Sequence, residues 1–285
     1  MIALQVIVGG LLLGAVYALF SSGLTLVWGM MNVVNFAHGD FVMLGMYIAY
    51  LAAAVLHAGP WLFTVLAAAA LFLLGALVYY WLIRQVMRGP MLAQILSTFG
   101  LALLMRYTIF WFFSATFVTL PGSALAGSVR VGAILIGIPQ LVAGILAMLL
   151  TLGMHLLLTR TTIGSQILAV SEDRQAAMLM GIRPDRMQAL AWGLASASAG
   201  IAGALIATFY YLTPTVGESL VLIAFVVVCF GGFGSVPGAM LAGLIIGLIQ
   251  ALAAYYIGAA YKDVVVFALF VALLWIRPQG LMGTS

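Results

Sequence analysis

From Ile2 to Trp28 the chain carries no Asp, Glu, Lys, Arg or His, and apolar runs of the same character recur as far as Ile276. About 20 such residues let a helix cross the roughly 30 Å hydrocarbon core of a bilayer. Across the whole chain 66% of residues are hydrophobic and 6% charged, against roughly 25% charged in a soluble domain. The chain is therefore an integral membrane protein. A barrel would need short strands of alternating apolar and polar residues, and no such alternation is present. The expected fold is all-α, a polytopic membrane helical bundle forming one domain over residues 1–285.

Prolines lack a backbone donor and disfavour a helical residue before them, and all eight fall in or beside breaks between apolar runs. The predicted segments are Ile2 to Trp28, Phe41 to Leu56, Trp61 to Ile83, Met91 to Phe113, Pro139 to Leu158, Ala189 to Leu212, Ser219 to Phe230, Gly238 to Ile257 and Val264 to Ile276. The first is long for a straight crossing and holds Ser21-Ser22-Gly23 near its middle. The seventh and last are short enough to be partial or broken helices, so eight to nine membrane segments are expected. Met1-Ile2 enters an apolar run with no basic stretch before it, which predicts a retained helix and not a cleaved signal. Cys229 has no partner in the chain and is expected to pack. Gly10 and Gly14, Ala199 and Gly203, and Gly243 and Gly247 are small residues four apart, a spacing that lets helix backbones approach closely.

Loops rich in Lys and Arg remain in the cytoplasm. With residues 160–188 inside, Arg84, Arg88, Arg160, Arg174, Arg183, Arg186 and Arg277 are all inside, and only Arg130 and Lys262 are outside. This predicts an outer N-terminus and a cytoplasmic C-terminus. Arg106 falls within a span, where it must snorkel or find a partner.

Two polar stretches stand out. In "NVVNFAHGDF", residues 32–41, Asn32, Asn35 and His38 are three apart and share a face if helical, which places them either along a translocation path or at helix ends, mending exposed backbone. Asp40 is expected to be hydrated at the interface. Ser97 and Thr98 in "QILST" offer hydroxyls either to the same path or to helix–helix hydrogen bonds. In residues 160–188, Ser171 is a candidate N-cap, Glu172 and Asp173 suit a helix N-terminus, and Gly181 suits the left-handed residue past a helix end. They predict a short helix over 172–180 whose face of Ala176, Ala177 and Met180 rests on another surface. "GGFGSVPG", residues 231–238, lacks the GxxxxGK[ST] spacing of a phosphate loop; its glycines predict a tight break between helices.

"TTIGSQILAVSEDRQAAMLMGIRPDRMQALAWGLASASAGIAGAL" resembles the cytoplasmic coupling region of LivH-type permeases of branched-chain amino-acid ABC importers. "GLTLVWGMMNVVNFAHGDFVMLGMY", "GGFGSVPGAMLAGLIIG" and "YKDVVVFALFVALLWIRPQGLMG" resemble the same family in the same order. The resemblance covers nearly the whole chain and is weakest at residues 114–138, which are expected to be external. It implies a bacterial inner-membrane permease subunit for amino acids, most often branched-chain, although relatives carry other amino acids, urea or short amides. The implied partners are a LivM-type second permease, two cytoplasmic ABC ATPases and an external amino-acid-binding protein. ATP and Mg would be bound by the ATPases, with no cofactor in this chain and no nucleic-acid partner. By the same likeness Glu172, Asp173, Arg174, Ala176, Ala177 and Gly181 map to the ATPase-contacting loop. Asp40 stands where many relatives carry Glu.

Two other classes are weighed against this one. An ion-gradient-driven secondary transporter would couple through Asp40, Glu218 or Asp263, but these carboxylates lie near loops and not at a midplane. A membrane enzyme would have to use His38, His57 or His155, and no HExxH pair or recognisable Ser/His/Asp arrangement accompanies them.

Overall fold

A computed structural model of the chain describes residues 2–121, 125–132, 134–277 and 279–282. Met1, and Pro278 and Gly283 of the last quoted motif, lie outside these. The helices are α1 (Ile2–Met31), α2 (His38–Leu56), α3 (Pro60–Val86), α4 (Met91–Phe113), α5 (Ile138–Arg160), α6 (Thr162–Glu172), α7 (Arg174–Leu179), α8 (Pro184–Ile206), α9 (Val216–Gly231), α10 (Val236–Tyr256) and α11 (Lys262–Ile276). Eight helices are long and apolar enough to cross a membrane, the last one counted with the 3-10 turn Ala259–Tyr261 before it, while α9, at 16 residues, is shorter. The expected bundle of eight to nine segments is thus present. Among the described residues it adds an antiparallel hairpin, β1 (Ser128–Val131) and β2 (Ile134–Gly137), in the stretch where the family resemblance is weakest.

Prolines start α3 and α8 at their first position and α5 and α10 at their second, where a missing N–H is harmless. Ser235 caps α10, accepting from Gly238 N at 3.1 Å. Gly232 and Gly234 take φ of 100° and 80° in the preceding link, so the glycines of 231–238 make a break between helices.

In an apolar 18-residue stretch of α8, 78% of residues are buried, against 6% over Ala259–Ile276, so α8 is central and α11 peripheral. Small residues set the closest approaches, and Gly10 and Gly14 of α1 abut Gly243 and Gly247 of α10. A Cβ at Gly14 would lie 2.9 Å from Leu244 Cα, so only glycine allows this approach. Gly23 lies where α8 crosses α1, against Ala195 and Ser198, and α1 runs unbroken through Ser21-Ser22-Gly23.

The two ends of the bundle differ. At one end Gly29 of α1 meets Gly234, and the backbone N–H groups of Leu281 and Met282 donate to Phe230 O and Gly231 O at 2.8 and 3.0 Å. At the other end Ile2 and Gln5 border a small cavity with Leu135, Ile136 and Gln140. The described chain therefore starts and finishes at opposite ends.

Candidate functional site

The segment after α1 does not form a helix that puts its polar residues on one face. Asn32 takes φ 52° and donates its N–H to Trp28 O at 2.8 Å, ending α1 as a left-handed cap. The chain then turns back. His38 opens α2 beside the middle of α1, where its Nε2 lies 2.7 Å from Phe20 O. A carbonyl oxygen only accepts, so Nε2 carries the proton. Phe20 is about three turns before the end of α1, so residues 32–37 climb roughly 16 Å back along that helix. Non-helical backbone is tolerated at such depth only inside protein or beside water.

Three of the predicted side chains complete this segment. Asn35 Oδ1 accepts from Ala37 N at 3.0 Å, and Thr98 Oγ1 on α4 lies 3.0 Å from Val34 O while also within reach of Gln94 O and Ile95 O. Asn35, His38 and Thr98 are at most 1% exposed. Asn32 is exposed and Ser97 half-buried, outside this hydrogen-bonded set.

In the first turn of α2, Asp40 is fully buried, not hydrated as expected from sequence. Arg106 of α4 reaches it with two prongs, Nε to Oδ1 at 3.2 Å and Nη2 to Oδ2 at 3.3 Å, and its Nη1 pairs with Glu218. Asp40 and Glu218 each occupy the first turn of a helix, where the dipole favours negative charge. The helix starts meet because Gly39 and Gly217 face each other; a Cβ on Gly217 would lie 2.7 Å from Asp40 Oδ1. Sequence gave Arg106 a need for a partner, but contacts more than sixty residues apart leave no local spacing by which to identify one.

At the Arg-rich end the predicted helix over 172–180 is replaced by two. α6 continues through Glu172, and Ser171 Oγ donates back to Leu168 O at 2.6 Å, so Ser171 is not a cap. Asp173 is the cap, accepting from Gln175 N at 2.8 Å and Ala176 N at 3.0 Å. A carboxylate accepts charge-assisted bonds that a hydroxyl cannot match. Gly181 follows with φ 79°. Ala177 turns inward, 4% exposed, into a cluster with Leu26 and Met30 of α1 and Ile167 of α6. Glu172, Asp173, Arg174 and Ala176 are exposed, and so are Met178, Leu179 and Met180, the last two at 90% and 82%. The outward apolar surface is thus the neighbour of the one expected. Arg84 and Arg174 both pair with Asp185, at 2.7 and 2.9 Å, tying α3 and α7 to the start of α8.

Sequence reading also passed over Tyr17 and Gln250. Their hydrogen bond, 2.6 Å from Tyr17 Oη to Gln250 Oε1, joins α1 to α10. The available signal was a lone amide within an apolar run. Among the described residues no cluster of His, Cys, Asp or Glu is arranged to hold a metal ion.

Residues 6–274 match the family model described as the branched-chain amino acid transport system permease component. The chain is 33% identical to the high-affinity branched-chain amino acid transport system permease protein LivH of Salmonella typhimurium, over 98% of this chain and 95% of that protein. It is 31% identical to the corresponding permease protein BraD of Pseudomonas aeruginosa, with the same coverage of each. Among solved structures, PsaBC from Streptococcus pneumoniae in complex with Fab has a similar fold, with a TM-score of 0.52 at 12% identity over 95% of this chain and 91% of that one.

Proposed function

Since this chain belongs to the family of branched-chain amino acid transport system permease components, we propose that it carries branched-chain amino acids inward as one of the two permease subunits of an ATP-driven importer. The single observation behind this reading is the match over residues 6–274, which takes in the re-entrant segment, the charge cluster and the α6–α7 elbow together. The proposed partners are a LivM-type permease, two cytoplasmic ATPases that bind the ATP and Mg, and an external amino-acid-binding protein.

The Arg-rich end is assigned to the cytoplasm, with the N-terminus outside and the C-terminus inside, by the bias of basic residues. There Glu172, Asp173, Arg174, Ala176, Gly181 and the exposed Leu179 and Met180 form the surface offered to an ATPase. Ala177 anchors that surface from beneath. On the path side, Asn35, His38 and Thr98 hold the re-entrant peptide in shape, while Asn32 and Ser97 remain open to line it. A gradient-driven transporter is not favoured by the family match, and two of the three carboxylates it would draw on, Asp40 and Glu218, are engaged by Arg106.

The test is reconstitution into proteoliposomes with the four partner subunits and radiolabelled L-leucine. Uptake that requires ATP and the binding protein is expected. Uptake driven equally well by an ion gradient with ATP absent would overturn the reading.

A further inference from the structure

Toward the end of the bundle opposite α7, a cavity of about 640 Å³ opens between α1, α10, the start of α11 and the 207–215 link. That is within the range of small-ligand sites. The link is fixed in place by paired hydrogen bonds between Val118 and Leu212, at 3.1 and 2.8 Å. On one wall three polar groups run in series: Tyr17 Oη donates to Gln250 Oε1 at 2.6 Å, and Gln250 Nε2 donates to Asp263 Oδ1 at 2.7 Å. The second carboxylate oxygen of Asp263 takes no hydrogen bond among the described residues. Lys262, its neighbour, lines the same cavity.

Both residues are partly exposed, and neither makes an ion pair among the described residues. An acid and a base that border one cavity without joining present two separate charges to its interior. The rest of the lining mixes aromatic and aliphatic side chains with the hydroxyls of Thr213, Thr215 and Ser219. The Tyr210 and Tyr211 rings stack at 4.3 Å, Phe117 meets Tyr211 edge-on at 5.2 Å, and Leu13 and Ile223 complete the wall.

Resting on the permease reading, we propose that this cavity is an outer holding site for an α-amino acid zwitterion with an aliphatic side chain. The ammonium group sits at Asp263, the carboxylate at Lys262, and the side chain lies against Leu13, Ile223 and the aromatic rings. Other solute classes fit less well. A simple cation meets Lys262, a simple anion meets Asp263, and an uncharged solute desolvates both without recompense. The amide of Gln250 cannot turn over without breaking both of its hydrogen bonds, so its NH2 group stays fixed on Asp263.

The experiment uses the complete complex in proteoliposomes with L-leucine as probe and compares Lys262→Gln and Asp263→Asn with wild type. Each variant is expected to assemble normally, to keep binding-protein-stimulated ATP hydrolysis within about twofold, and to take up leucine about tenfold more slowly. Wild-type leucine uptake in both variants would overturn the proposal. Loss of stimulated ATP hydrolysis along with uptake would overturn it too, since the damage would then lie in coupling. If Asp263→Asn does not assemble, Lys262→Gln decides alone, because its side chain makes no hydrogen bond among the described residues. A wild-type complex that carries no amino acid would instead overturn the permease reading itself.

Discussion

His38 donates through Nε2 to the carbonyl oxygen of Phe20, 2.7 Å away, fastening the first residue of α2 to the middle of α1. This bond fixes where the re-entrant segment ends. His38→Ala removes a buried hydrogen bond and leaves a cavity, a loss of about 2 kcal/mol. A fall of about 5 °C in the melting temperature of the detergent-purified protein is expected. An unchanged melting temperature would show that the segment is held by other contacts.

Arg106 is predicted to matter most through what it neutralises. Arg106→Met leaves Asp40 buried and unpaired, a penalty of about 3–5 kcal/mol, and should sharply reduce the amount of folded protein in the membrane. Adding Asp40→Asn to the same chain should restore much of that amount. A double variant no better than the single one would mean that the pair is not the reason for the loss.

The α7 surface separates docking from folding. Leu179→Asp alters a side chain that is 90% exposed, so membrane insertion should be normal while the ATPases no longer copurify. Ala177→Arg forces a charge into the cluster of Leu26, Met30 and Ile167, so it should lower the level of folded permease itself. Full ATPase recovery with Leu179→Asp would move the docking surface elsewhere.

Close backbone contact makes a graded test of packing. Gly14→Leu should destabilise the bundle strongly, because Gly243 and Leu244 occupy the required space. Gly9→Leu, five residues earlier on the same helix, meets nothing within 4 Å and should be tolerated. Equal thermal stability of the two variants would contradict the arrangement of α1 on α10.

Orientation can be read with thiol reagents in a Cys229→Ser background. Cysteines placed at positions 88 and 183 should react only when the reagent reaches the cytoplasmic face. Labelling from outside intact cells would invert the topology.

The segments were legible because a membrane helix must satisfy its own backbone, so apolar run length and proline position nearly determine where it starts and stops. Met91–Phe113 was readable to the residue for that reason. What escaped was whatever depends on depth and on distant partners. Asn32, Asn35 and His38 have a helical spacing in sequence, but left-handed Asn32 and the non-helical residues after it place them differently. The choice of Asp173 over Ser171 as cap turned on a competition between two acceptors two residues apart, which spacing rules do not resolve. Tyr17, Gln250 and Asp263 meet only after three helices have packed.

α1 touches both regions that matter. Leu26 and Met30 sit on the Ala177 cluster, and Leu13 and Tyr17 border the cavity beside Asp263, on one helix of 30 residues without a break. Such a rod is about 45 Å long. A tilt of only about 5° moves a point about 14 Å from the pivot by about 1 Å, within the range of helix shifts in switching proteins. The Ser21-Ser22-Gly23 crossing with α8 supplies that fulcrum, with Leu13 of the cavity wall and the Met31 end of α1 each about 14 Å along the helix from Ser22. Motion of the elbow at one membrane face can therefore widen or narrow the cavity near the other through a single rigid element, with no chain of intermediate side chains required.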